Sequence, residues 1–295
     1  MKKITGSKWA HEPWHSTMIS YKIKRKLYEK KSKFQLVEEF ETEGCGNLMA
    51  LDGCFMLTDK EEFVYHDMIV HVPLYSHPNP QDVLVIGGGD GGTVREILRH
   101  KTVKRVDFAE IDDEVFKAAL KYHKGLVEWV GDKRVNYCFS DGCEFIKDKK
   151  KVYDVIIIDS TDPVDIGEGL FTMEFYKNVK EALKPGGCMV AQTEDPFYDA
   201  EFLLRGHNKI KNTFKNSAMY LAHIPTYPSG CWSFTFGSDS ITPDKIRNKK
   251  SGKINTKYYT PELHIGALAL PKFVQELIKT GKSVIEVKGK KAKKK

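Results

Sequence analysis

The chain has 295 residues, 41% of them hydrophobic, enough to bury a full core as one large domain or as a large domain with a small partner. Its formal charge of +7 invites a nucleic-acid reading, but six lysines fall within 287–295 and the rest of the chain is nearly neutral, so no nucleic-acid partner is expected. No apolar run is long enough to span a bilayer, Met1–Gly6 lacks the core of a signal peptide, and the six cysteines show neither C-x-x-C pairing nor interleaved histidines. The expectation is a cytoplasmic protein with reduced thiols, no membrane contact and no metal site.

In chain order, the first segment is short and strand-like: Met18–Tyr21, Phe34–Phe40, Asn47–Leu51 and Phe55–Leu57. Turn signals separate the strands at Gly44-Cys45-Gly46 and at the hairpin pair Asp52-Gly53. The basic run Lys22–Lys33 reads as strand and turn with solvated lysines. This is a small antiparallel β-domain, residues 1–62. A helix over Glu61–Val72 follows, with Pro73 and Pro78 closing the connection to the next strand.

Val83-Leu84-Val85-Ile86 then runs into Gly87-Gly88-Gly89-Asp90-Gly91-Gly92, a buried strand ending in a glycine loop that opens a helix over Thr93–His100. From there strand and helix alternate, as a parallel sheet requires. Strands are expected at Arg105–Ala109, Val135–Cys138, Val155–Ile158 and Cys188–Gln192. Helices are expected at Asp112–Tyr122, Thr172–Leu183 and Glu201–Phe214, with Lys184-Pro185-Gly186-Gly187 as a stop. Met219–His223 and Trp232–Phe236 form an antiparallel hairpin. The second domain is therefore a Rossmann-like, mostly parallel α/β sheet over 63–283, and 284–295 is a lysine-rich solubilising tail.

Four successive strands end in acids: Asp90, Glu110, Asp141 and Asp159, with Asp162 three residues further on. Ligands of open parallel sheets sit at that edge, beside the point where strand order reverses. Asp90 inside the loop would repel a pyrophosphate and favour a cation, although it also suits a helix cap. Glu110 is placed to accept both ribose hydroxyls of a nucleoside. Asp141-Gly142 suits the exocyclic amine of adenine, or simply a helix N-cap. Asp159 and Asp162 should raise one another's proton affinity, which suits a base that takes a proton from an amine. Tyr65-His66 and the rigid turn Ile224–Trp232, bearing Tyr227 and Trp232, add aromatic faces suited to an alkyl diamine.

These residues resemble the spermidine synthases, a family of polyamine aminopropyltransferases. The resemblance is carried by Leu51-Asp52-Gly53, Glu61–Met68, Gly87–Gly92, Glu110-Ile111-Asp112, Asp159–Pro163 and Ile224–Gly230, over about Trp9 to Ile278. It implies a methyltransferase-type domain behind a small β-domain, in a homodimer or homotetramer. The implied reaction transfers the aminopropyl group of decarboxylated S-adenosylmethionine to putrescine, with that donor a co-substrate and no cofactor. Matching positions make Asp159 the base, helped by Tyr65. Gln35 and Glu110 would hold the donor's ribose, Asp141 its adenine and Asp90 its aminopropyl amine, with Gly87, Gly89, Ile111 and Gly142 completing the donor site. The acceptor would lie along His66, Asp90, Asp159, Asp162, Tyr227 and Trp232. The competing reading, an S-adenosylmethionine methyltransferase, would place the donor's α-carboxylate against Asp90, and the two like charges would repel.

Overall fold

Residues 8–161 and 169–285 are described in this computed structural model, and two sheets organise them. The first is five-stranded, antiparallel and in chain order: β1 (Trp9–Trp14), β2 (Thr17–Lys31), β3 (Leu36–Thr42), β4 (Asn47–Leu51) and β5 (Cys54–Thr58). Asp52 and Gly53 both sit at positive φ, as the tight β4–β5 hairpin demands. β2 runs unbroken from the expected strand Met18–Tyr21 through the basic run to Lys31, in keeping with its reading as strand and turn, while β1, which pairs along its first part, goes beyond the expected strands. Most β2 side chains are exposed or half-buried, so the strand carries little apolar alternation, and register shifts near Ile23–Tyr28 blur what there is.

The second sheet has seven strands: β6 (Asp82–Gly87), β7 (Arg105–Glu110), β8 (Val135–Phe139), β9 (Tyr153–Asp159), β10 (Leu183–Gln192), β11 (Asn216–His223) and β12 (Cys231–Ser238). Their order is β11-β12-β10-β9-β6-β7-β8. β8, β7, β6, β9 and β10 are parallel, and the β11–β12 hairpin closes the edge antiparallel, as its prolines and glycine suggested. β6 shows why such a strand reads as continuously apolar: Val83 and Val85 enter the core on one face, Leu84 and Ile86 the core on the other.

Helices α1 (Glu62–Ser76), α2 (Gly92–Leu98), α3 (Asp113–Tyr122), α4 (Gly142–Lys147), α5 (Met173–Ala182) and α6 (Ala200–Thr213) cover the sheet, and α7 (Pro261–Gly266) and α8 (Lys272–Thr280) follow. Pro73 lies inside α1 rather than ending it. The helix is buried on nearly every side, and that packing outweighs the backbone hydrogen bond that proline cannot make. α5 ends at Ala182, just before the expected stop Lys184–Gly187, and that stretch already belongs to β10, as an irregular part whose register against β9 shifts between Leu183 and Cys188. Among the described residues no helix is long and apolar enough to cross a membrane.

Polar contacts fix the first sheet over the carboxyl ends of the second. The Ser32 hydroxyl and the Gln35 amide both donate to Asp112, the cap of α3, at 2.7 and 3.1 Å. His123, fully buried, reaches Glu39 of β3 at 2.9 Å and Asp59 at 2.7 Å. Burial alone would discharge this imidazole, but Asp59 and Glu39 push it up to about 9 and keep it a cation.

Candidate active site

The sheet reverses its strand order between β6 and β9. After β6 the chain moves out to β7 and β8, then returns to lay β9 on β6's other side. The register sets Gly87 directly opposite Asp159, and the Gly88 N–H donates to the Asp159 carbonyl at 2.7 Å. Gly87 has φ +81°, and a Cβ there would stand 2.1 Å from that carbonyl oxygen, so a side chain at 87 would push the two strand ends apart.

A cleft of about 1100 Å³, counted to its open mouth, lies over this point and has room for a nucleoside carrying a side chain. Gly87, Gly89, Asp90, Glu110, Ile111, Asp141 and Gly142 line it from the strand ends, and Gln35 from the first sheet above. The Glu110 carboxylate is buried. One oxygen accepts the Asp112 N–H at 2.7 Å, and the other lies so near Gly89 that a Cβ there would stand 3.0 Å away. Burial, reinforced by the neighbouring carboxylates of Asp112, Asp159 and Asp90, pushes Glu110 up to about 7. Asp141 is exposed and caps α4 through the Cys143 N–H at 2.7 Å while also lining the cleft. Asp90 likewise accepts the Gly92 N–H at 2.8 Å, although the capping residue proper is Gly91.

At the middle of the cleft one His66 nitrogen, one Asp90 oxygen and one Asp159 oxygen lie within 4.8 Å of one another. Tyr65 donates its hydroxyl to one Asp159 oxygen at 2.6 Å, and Thr93 donates to the other at 2.6 Å. Burial and the neighbouring Asp90 charge push Asp159 above the usual carboxylate range, while His66, Thr93 and Tyr65 pull it back. Tyr65, fully desolvated and facing Asp159, is held well above 10 and stays protonated. His66 lies on the cleft wall with both ring nitrogens engaged, by Glu62 at 2.8 Å and by Asp90 at 3.1 Å.

A narrower arm of about 400 Å³ joins the cleft where both are lined by Met56, Tyr65, Ser160, Thr161 and Tyr227. Its far walls are Glu12 and Trp14 of β1, Gln192 at the end of β10, and Trp232 of β12. Tyr227 and Trp232 meet with ring centroids 4.3 Å apart. The Trp14 indole N–H donates to Asp199 at 3.1 Å, which ties the β1–β2 hairpin to the larger sheet. Glu194, two residues past Gln192, is buried at φ +71°, a backbone conformation uncommon for residues other than glycine. Asp162, expected beside this arm, lies outside the described residues.

The sequence reading did not single out Thr93, Glu12 or Gln192. Thr93 carried a usable signal, the second residue of the helix opened by the glycine loop, whereas Glu12 and Gln192 come from strands whose pairing no local pattern reveals.

Fold and cleft together define the class, a Rossmann-like enzyme of methyltransferase-type architecture with a carboxylate-lined cleft at its switch point. Two family models cover most of the chain, a spermine/spermidine synthase domain over residues 62–248 and a spermidine synthase tetramerisation domain over residues 9–59. The chain belongs to the spermine/spermidine synthase family and is a polyamine aminopropyltransferase. The polyamine aminopropyltransferase of Alkaliphilus metalliredigens is 46% identical over 280 residues, spanning 92% of this chain and 98% of its own. A spermidine synthase solved in complex with the transition-state analogue AdoDATO superimposes with a TM-score of 0.89 at 40% identity, covering 95% of this chain and 99% of that one. Spermidine synthase from Thermotoga maritima gives 0.87 at 41% identity, over 92% and 94%.

Proposed function

We propose that this enzyme transfers the aminopropyl group of decarboxylated S-adenosylmethionine to putrescine, giving spermidine and 5′-methylthioadenosine. The observation that carries the reading is the meeting of two differently lined cavities at Tyr65, Ser160 and Thr161, where Tyr65 holds Asp159 and Asp90 stands beside it in the wider one. In this reading the larger cavity takes the nucleoside. Glu110 and Gln35 face the ribose, Ile111, Asp141 and Gly142 the adenine side, and Gly87 and Gly89 let the backbone approach closely. Asp90 faces the donor's ammonium. An intact S-adenosylmethionine would set its α-carboxylate against that charge and be disfavoured.

The narrower arm takes the diamine between Tyr227, Trp232 and Trp14, with Asp162 as a further anchor for its distal cation. The near nitrogen gives its proton to Asp159 and attacks the propyl carbon. A C–N bond forms, the C–S bond breaks, and its electron pair stays on sulfur, which becomes the thioether of methylthioadenosine. Tyr65 and Thr93 orient the base and favour its ionised form through charge-assisted hydrogen bonds. The reaction needs neither metal nor resident cofactor. The match to a tetramerisation domain supports a homo-oligomer assembled through the first sheet.

Methylthioadenosine release from decarboxylated donor, measured against putrescine, cadaverine, agmatine and butylamine, tests the reading. Putrescine should exceed butylamine by roughly a hundredfold or more in kcat/KM, because a monoamine leaves a desolvated carboxylate unpaired. Equal rates with butylamine would remove the distal-cation site, and absence of product with every diamine would overturn the acceptor class.

A further inference from the structure

The cleft centre holds two carboxylates, Asp90 and Asp159, that the proposed mechanism needs ionised together. Carboxylates at such close range in a desolvated site ordinarily share a proton. His66 stands against them, and its surroundings favour the charged ring. Nδ1 hydrogen-bonds a Glu62 oxygen at 2.8 Å, and Nε2 lies at ion-pair distance, 3.1 Å, from an Asp90 oxygen. A neutral imidazole carries one N–H, so it would set a lone pair against one of those oxygens; the imidazolium presents a proton to each side and its charge to both carboxylates.

Glu62 is itself fixed from behind. Arg95 of α2 grips its two oxygens through NH1 at 3.0 Å and NH2 at 2.8 Å, and the Arg95 Nε donates to Glu96 at 2.8 Å. Charges therefore alternate from the protein's flank into the cleft: Arg95, Glu62, His66, Asp90. Arg95 is the most exposed member, with its side chain 20% accessible, against 3% for His66.

We propose that Glu62 and Arg95 are positioning residues for the transfer reaction: they hold His66 as an imidazolium, and that charge keeps Asp90 and Asp159 ionised side by side. The proposal rests on the assignment of Asp90 and Asp159 made above. The charged and titratable groups facing His66 are Glu61, Glu62 and Tyr65 of its own helix, Asp90 of the glycine loop and Asp159 of β9, with Arg95 behind Glu62 and His123 acting on Asp90 from α3's end. Burial would lower the imidazole, but Asp90 and Glu62 hold it well above its ordinary value, and Asp90 is held below its own.

Glu62→Gln and Arg95→Met test the assignment by two readouts. The first is the ring nitrogen NMR signal of His66, assigned by its loss in His66→Gln and followed with pH in the full-length, ligand-free enzyme. In the wild type it should report imidazolium through pH 8, and in both variants it should titrate at least about one pH unit lower. A neutral ring in the wild type at pH 7, or an unchanged titration in both variants, overturns the proposal whether or not the substrates are correctly named. The second readout is the acidic limb of the kcat/KM profile, which should move to higher pH in the same variants, with Arg95→Lys restoring most of the shift. A His66 that titrates early beside an unmoved acidic limb would refute its hold over Asp159. Thermal unfolding and methylthioadenosine binding of each variant identify one that has merely lost its fold, and Arg95→Lys and Arg95→Met then carry the test.

Discussion

The wide end of the cleft and its narrow arm are built by different routes. Gly87, Gly89, Asp90, Glu110 and Asp141 come from strand ends and loops that follow one another along the chain, all delivered to one edge by the parallel sheet. The arm takes Trp14 from β1, Met56 from β5, Gln192 from β10, Tyr227 from a turn and Trp232 from an antiparallel strand. A site assembled by topology repeats its geometry wherever that topology forms. A site assembled from distant segments depends on how one sheet is seated on the other, here through Asp112, His123 and Asp199. In the proposed function, donor recognition falls to the framework and acceptor selectivity to the seam.

The largest effect should come where the two regions meet. Asp159→Asn removes the proposed base beside their junction and should lower kcat by about two or more orders of magnitude, while methylthioadenosine still binds within a few-fold of wild type in calorimetry. Retained turnover at saturating diamine would take Asp159 out of the mechanism, and equal damage to nucleoside binding would mean that it serves the wide end instead.

Trp14→Ala should separate the regions. Its indole lines the arm and ties the β1–β2 hairpin to Asp199, so the acceptor KM should rise about tenfold, the scale of one lost aromatic contact, while methylthioadenosine affinity stays unchanged. A parallel loss of nucleoside affinity would show that the seam governs both ends and would dissolve the distinction.

The smallest effect belongs to the wide end alone. Glu110 is pushed up to about 7 in the free protein, and in its proposed role it must be ionised to accept both ribose hydroxyls, so that binding would favour its deprotonated form. Methylthioadenosine affinity should be level above about pH 8 and fall below pH 7, by at most about tenfold for each pH unit. Calorimetry in buffers of different ionisation enthalpy should register proton release near pH 7. Glu110→Gln should abolish that release, and a release that persists in the variant would assign the proton elsewhere.

Local patterns carried much of this into the sequence. A four-residue apolar run ending in glycines reads as a strand covered on both faces, and the acids after it are placed by the rule that ligands of parallel sheets meet the carboxyl ends of the strands. Hence Asp90, Glu110 and Asp159 were legible as a group, and the motif resemblance added Gln35, which no periodicity marks. β1 was not legible, because its buried positions, Ala10 and Glu12, make no apolar alternation, nor was Pro73 inside α1, because its tolerance depends on burial supplied by other elements.

The sequence by itself determined the order of strands and helices, the glycine turn, and which acids reach the sheet edge, since each follows from steric and hydrophobic preferences over a few neighbouring residues. Only the tertiary structure decided what those acids face. That His66 lies between Glu62 and Asp90, that Tyr65 and Thr93 occupy the two oxygens of Asp159, and that Trp14 closes the arm are matters of approach between segments up to 185 residues apart. Electrostatic and hydrogen-bond energies are set by distance in space and by the water that packing removes, and neither quantity is written in local sequence.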